Sequence, residues 1–100
     1  MAQFTIRVTL HGASWQEYVD LAAKLRAQEI VDVIRSDPGV WYRLPDGEYN
    51  YEGNASAGQI HNTVATIASS VVATLPAVLV TESVRRIWSG LEIVKVANSA

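Results

Sequence analysis

The chain contains no cysteine, so a disulfide framework and a thiolate metal site are both excluded and packing alone must hold the fold. It also has no surplus of positive charge. Eight lysines and arginines stand against ten aspartates and glutamates, a formal net charge of −2, so any contact with RNA has to be local rather than drawn in by a long-range field. Glycine-rich phosphate loops are missing, since Gly12, Gly39, Gly47, Gly53, Gly58 and Gly90 are scattered among turns and helix starts. Neither H-E-x-x-H nor G-x-S-x-G occurs, which leaves no zinc-protease or hydrolase signature. No cofactor and no protein-built metal site are predicted. The longest apolar stretch, around Val71 to Val80, is broken by Thr74 and Pro76 and is too short to span a bilayer. Met1 to Arg7 alternates like a strand and lacks the basic n-region of a signal peptide, so cytoplasmic residence without membrane contact is expected.

What remains is 100 residues, 49% of them hydrophobic, which suits a single domain over 1–100 with a modest core. Residues 3–10 place Phe4, Ile6, Val8 and Leu10 on one face and Thr5, Arg7 and Thr9 on the other, the pattern of a strand with one buried side. After a His11-Gly12-Ala13 loop, Ser14-Trp15-Gln16-Glu17 has the form of a capping box, which satisfies free amides at a helix start. Trp15, Tyr18, Val19, Ala22 and Leu25 follow as one apolar stripe, and Asp20 and Lys24 are spaced for an i,i+4 ion pair worth about 0.3 kcal/mol. Ile30 to Arg35 is dense in β-branched residues and predicts a second strand. Pro38 and Gly39 suit the two central positions of a type II turn, folding the chain back as a hairpin into Val40-Trp41-Tyr42.

The stretch from Trp41 to Tyr51 carries half of the aromatic side chains. Leu44-Pro45-Asp46-Gly47 interrupts it, because proline removes a ladder donor and Asp-Gly favours a turn or bulge. The prediction is a bent strand or two short strands, with Arg43, Glu48 and Tyr49 close together. A second capping signature, Ser56-x-x-Gln59, opens a helix of about residues 57–74, with Ile60, Val64, Ile67, Ala68, Val71 and Leu75 at helical spacing and Pro76 as its stop. Ala77 to Thr81 reads as a buried strand, Ile87-Trp88 and Leu91 to Val94 as one or two short additions, and residues 97–100 as a frayed tail. The order strand, helix, strand, strand, helix, strand predicts an α+β, ferredoxin-like split βαβ sandwich with an extra C-terminal strand.

The side chains with chemistry to offer are basic and aromatic. Arg26, Arg43, Arg85 and Arg86, with Tyr42, Tyr49, Tyr51 and Trp88, combine phosphate-pairing guanidiniums with flat faces on which bases stack, as a contact with single-stranded RNA requires. The same residue types dominate protein interfaces, and an exposed edge strand invites a second copy, so a homodimer or another protein partner accounts for them equally well. A third reading puts at least two of Trp15, Trp41 and Trp88 in the core. His11 and His61 are the side chains whose ordinary titration lies near neutrality, although solvent-facing polar residues are their commoner fate. Asp46 and Glu48 carry oxygens that suit a hard cation such as magnesium, but acidic turns are usually just solvated.

The element order, together with Arg43-Leu44-Pro45-Asp46-Gly47-Glu48-Tyr49-Asn50-Tyr51 and the helix opening at Ser56-Ala57-Gly58-Gln59-Ile60, resembles the GhoS-type proteins. These are endoribonuclease antitoxins of type V toxin–antitoxin modules, with a ferredoxin-like fold close to that of CRISPR-associated Cas2-like nucleases. The resemblance spans most of residues 3–82 in pattern and spacing. It implies a small cytosolic protein that cleaves a toxin's messenger RNA, with an important arginine on the first helix, where this chain offers Lys24 and Arg26 and the arginine is taken as the candidate. Leu10-His11 stands where the Cas2-like enzymes end their first strand on a metal-binding aspartate, so that acid is missing here. Cleavage without a metal needs a base for the 2′-hydroxyl, an acid for the leaving oxygen and a cation for the phosphorane charge. His11, Tyr49 and Arg43 are the catalytic candidates, and Arg26, Arg43, Arg85, Arg86 and Trp88 the RNA-binding ones. The alternative is a non-catalytic homodimeric interaction module, such as a phage or prophage accessory protein.

Overall fold

A computed structural model describes residues 2–94. Strand β1 (Ala2–Thr9) is the centre of a three-stranded antiparallel sheet, flanked by β4 (Glu48–Gly53) and β5 (Ala77–Ser83). Its alternation follows the predicted pattern: Phe4, Ile6 and Val8 are buried, with Tyr51, Tyr49 and Val80, Val78 opposite them in register. Helices α1 (Trp15–Arg26) and α2 (Ala57–Val71) cover this face, and Leu21, Leu25, Ile60, Val64 and Ala68 complete the core. At Val31 the chain bridges to Asn50 through reciprocal backbone hydrogen bonds of 2.9 and 2.7 Å, which sets it beside β4. The spatial order is therefore β5, β1, β4 and then the Val31 segment, the ferredoxin-like arrangement. Strands β2 (Val33–Arg35) and β3 (Trp41–Arg43) continue away from this edge as a separate two-stranded sheet, so the sheet is split.

Both helices begin as their sequences dictate. Ser14 Oγ accepts from the Glu17 amide at 3.2 Å while Glu17 accepts from the Ser14 amide at 2.9 Å, and Ser56 and Gln59 repeat the exchange at 3.1 and 2.8 Å. The face that α1 buries keeps Tyr18, Ala22 and Leu25 of the expected stripe, adds Leu21 and leaves out Trp15 and Val19. Leu21 and Leu25 are fully buried, with Tyr18 and Ala22 packed beside them, whereas Trp15 is 76% exposed. None of the three tryptophans enters the core, because leucines and isoleucines fill the space between helices and sheet; Trp41 is exposed and Trp88 half-buried. The expected Asp20–Lys24 pair does not form. Asp20 accepts instead from Gln16 at 3.0 Å, and Lys24 reaches across to Ser70 on α2 at 3.3 Å.

Other boundaries moved for local reasons. The turn between β2 and β3 closes on the Gly39 amide donating to Ser36 O at 2.8 Å, with Asp37 and Pro38 central and Gly39 following at φ +95. The Ser36 hydroxyl, which accepts from the Val40 amide at 3.1 Å, pulls the turn back by one residue from the expected register. Helix α2 stops at Val71, ahead of Pro76, where Val72 turns to extended geometry at φ −130, ψ 151; Leu75 is left 81% exposed. Strand β5 is half-buried rather than buried, since only Val78 and Val80 meet the core and Leu79 lies on the other face, beside Arg7. The expected C-terminal addition is a single bridge, Ile93 to Tyr42, with amides of Arg43 and Val94 bonded to Glu92 and Trp41 carbonyls at 2.9 Å each. Ile87-Trp88 is irregular. The tail expected at residues 97–100 lies outside the described residues.

Candidate functional site

Two concave regions are candidates, one beside the bend between β3 and β4 and one between the β2–β3 hairpin and residues 84–88. The bend itself is tied to the central strand, the Val8 amide donating to Gly47 O at 2.8 Å, and turns sharply through the Glu48 amide donating to Pro45 O at 3.0 Å. Facing it across a cleft of about 380 Å³ is the first half of α1, with Trp15, Tyr18, Val19 and Ala22 on one wall and Asp32, Arg43, Pro45, Asp46 and Tyr49 on the other. Arg43 is spoken for on both sides: its guanidinium lies 3.6 Å from Asp32 and 3.7 Å from Glu92. Arg26, at the end of α1, lies 3.8 Å from the second oxygen of Asp32. Two of the RNA-binding candidates therefore flank a single carboxylate.

Tyr49 is buried at the floor of this cleft. Burial pushes its phenol up from 10.0 to about 12, and Asp32, Tyr18 and Asp46 act in the same direction by disfavouring a phenolate among negative charges. A proton held this firmly makes Tyr49 a poor general acid at neutral pH. The folded chain keeps this proton at pH values where the unfolded chain has already lost its own, so stability that is full below pH 10 falls as the pH rises towards 12. The loss traced to this group is on the order of 2 kcal/mol. Denaturant unfolding of the wild type and Tyr49→Phe across that interval is expected to show the shallower decline in the variant, and parallel curves would refute the assignment.

The second concavity lies on the sheet face that the helices leave uncovered. Gln3, Thr5 and Arg7 of β1 align there with Glu52, Asn50 and Glu48 of β4 and with Ser83, Thr81 and Leu79 of β5. Residues 84–94 fold back over this polar surface, pinned by Arg86. Its guanidinium donates to Asn50 Oδ1 at 2.6 Å, lies 3.4 Å from Glu52 and touches Phe4 O at 3.5 Å. Burial lowers its pKa from the usual value while Glu52 counteracts. Between this segment and the β2–β3 hairpin runs a groove of about 540 Å³, where Arg35, Tyr42, Arg85 and Trp88 line the walls. Tyr42 and Trp88 meet edge to face at 5.7 Å, and Arg35 stands over the Trp41 ring at 5.9 Å. Arg35 and Arg85 are exposed and form no ion pair among the described residues.

The expected residues are thus divided rather than gathered. Arg43 and Tyr49 line the cleft with Arg26 beside it on Asp32, Arg85, Arg86 and Trp88 line the groove, and Leu44, Pro45 and Glu48 of the bend also border a separate hollow with Arg85, Arg86 and Trp88. His11 sits on the exposed turn after β1, outside the lining of the cleft that holds Arg43 and Tyr49, so the three catalytic candidates do not share one cavity. His61 is exposed on the first turns of α2 beside Asn62. No group of three metal-ligating side chains occurs among the described residues, and no helix there is long and apolar enough to cross a membrane. Sequence reasoning overlooked Asp32, Arg35 and Asn50. Asp32 had a signal, being the one charge inside Ile30-Val31-Asp32-Val33-Ile34, whereas Arg35 comes opposite Trp41 only through the one-residue shift of the turn. Comparison of the chain with protein-family models, curated proteins and solved structures found no match.

Proposed function

We propose that this is a cytoplasmic, antitoxin-type RNA-binding protein that holds single-stranded RNA in the groove between the β2–β3 hairpin and residues 84–88. The observation that carries this reading is the presence of two guanidiniums, Arg35 and Arg85, that form no ion pair among the described residues, in one groove with Tyr42 and Trp88. Free arginines pair with phosphates, and aromatic faces accept bases of any sequence. The cleft on the other side is unsuited to the task, since Asp32 and Glu92 already neutralise Arg43 and carboxylates repel a phosphate backbone. Binding rather than cleavage is the favoured activity, because His11, Tyr49 and Arg43, the candidate base, acid and cation, do not share one cavity.

In fluorescence anisotropy with a short single-stranded RNA, Arg85→Ala is expected to reduce affinity and to lower the salt slope by about 0.7 per lost phosphate contact. Trp88→Ala should weaken binding with little change in that slope. Undiminished affinity in both variants would overturn the proposal, and incubation of RNA with magnesium or with chelator reads any cleavage directly. A second reading has its own observation. Among the described residues strand β5 pairs with β1 and no other strand, and Leu79, Val84 and Ile87 are exposed on or just beyond it, as suits a non-catalytic homodimeric module joined through that edge. Dimers that persist at high salt together with no RNA retention would favour this second reading.

A further inference from the structure

We infer that the cleft between α1 and the β3–β4 bend binds a small alkylammonium ion, an aliphatic amine in its charged form. One wall is apolar and aromatic: Trp15, Val19 and Ala22 rise from α1 at helical spacing and Pro45 faces them. Trp15 is 76% exposed at the first position of its helix, where the capping box already satisfies the helix start, so neither core packing nor capping accounts for a large indole there. The floor is electronegative. Asp46 and Glu48 line it and form no ion pair among the described residues, while Asp32 is already matched by Arg26 and by Arg43, the guanidinium at the cleft wall.

An anion would meet these carboxylates and a neutral hydrocarbon would leave them unused. A short alkylammonium satisfies both halves, its chain on Trp15, Val19 and Pro45 and its –NH3+ near Asp46 and the Tyr49 hydroxyl oxygen, with an indole face available for a cation–π contact. A volume of about 380 Å³ admits such a molecule with its hydration partly retained. The site is separate from the RNA groove, so the two proposals stand or fall independently.

The test is a 1H–15N NMR titration of the full chain with n-hexylammonium, 1-hexanol and hexanoate. Hexylammonium is expected to give saturable shifts confined to residues 15–22 and 43–49, with hexanol weaker by about fivefold and hexanoate weaker still. Asp46→Asn, in an exposed turn, and Trp15→Ala, on an exposed helix position, should each weaken the amine by about threefold or more while the remaining spectrum is unchanged. Equal affinity for hexanol, preference for hexanoate, shifts scattered over the surface, or unaltered amine binding in both variants would each overturn the inference.

Discussion

Arg86→Ala is expected to lower the unfolding free energy by about 3 kcal/mol and to release residues 84–94 from the open face of the sheet. The size follows from what the guanidinium leaves behind. Asn50 is 5% exposed, and its side-chain oxygen takes the 2.6 Å bond from Arg86; without it, a buried amide loses its charged partner. Such a loss costs more than the net worth of an ordinary hydrogen bond, because the orphaned group has been desolvated for nothing. The ion pair with Glu52 adds little, since that carboxylate is 41% exposed and water screens it. Arg86→Lys should recover only part of the loss, because one ammonium cannot reproduce the planar fork that reaches Asn50 and Glu52 together. Hydrogen exchange supplies the second readout. The amides of Arg43 and Val94, bonded to Glu92 and Trp41 carbonyls, are expected to exchange faster in Arg86→Ala. Unchanged protection there would mean that Trp88 and the Ile93 bridge hold the segment without the arginine.

The other large effect is expected at the bend. Gly47→Ala meets two obstacles: the backbone is at φ +82, in the left-handed region, and a β-carbon would fall 2.7 Å from the carbonyl oxygen of Val8. That oxygen belongs to the central strand, which packs against both helices and cannot give way like the end of a flexible side chain. A loss of about 3 kcal/mol follows, part from the dihedral and the larger part from displacing β1. Gly39→Ala separates the two terms. Its φ is +95, but nothing lies within 4 Å of the added carbon, so only the conformational cost of about 1 kcal/mol should appear. Chemical denaturation of the two variants side by side checks the argument, and equal losses would show that contact with Val8 contributes nothing.

The same bend shows why some of the site was legible and some was not. Leu44-Pro45-Asp46-Gly47 announces a break in a strand by chemistry that acts within a few residues, and the break is there. Asp37-Pro38-Gly39 likewise announces the hairpin, but with Pro38 and Gly39 central it would set Arg35 opposite Tyr42, and only the shift of the turn onto Ser36 brings Arg35 opposite Trp41. Arg85 and Arg86 were not separable in this way. They are identical neighbours in the chain, yet one is exposed in the groove and the other, with its side chain 14% exposed, is turned inward onto the sheet and bonded to a residue on β4. Trp15 misled for a related reason: helical spacing defines an apolar stripe but not how far it is rotated towards the sheet, and Leu21 and Leu25 claimed the core.

Local order was therefore written in the chain: two capped helices, the alternating first strand, the two turns and the ferredoxin-like succession of elements all arise from interactions spanning a handful of residues. Which arginines remain free, which carboxylates they meet and which side of the sheet each aromatic serves depended on contacts between residues far apart in sequence. Those contacts form only once the sheet has closed and residues 84–94 have settled on its uncovered face, because burial and pairing are properties of neighbours in space.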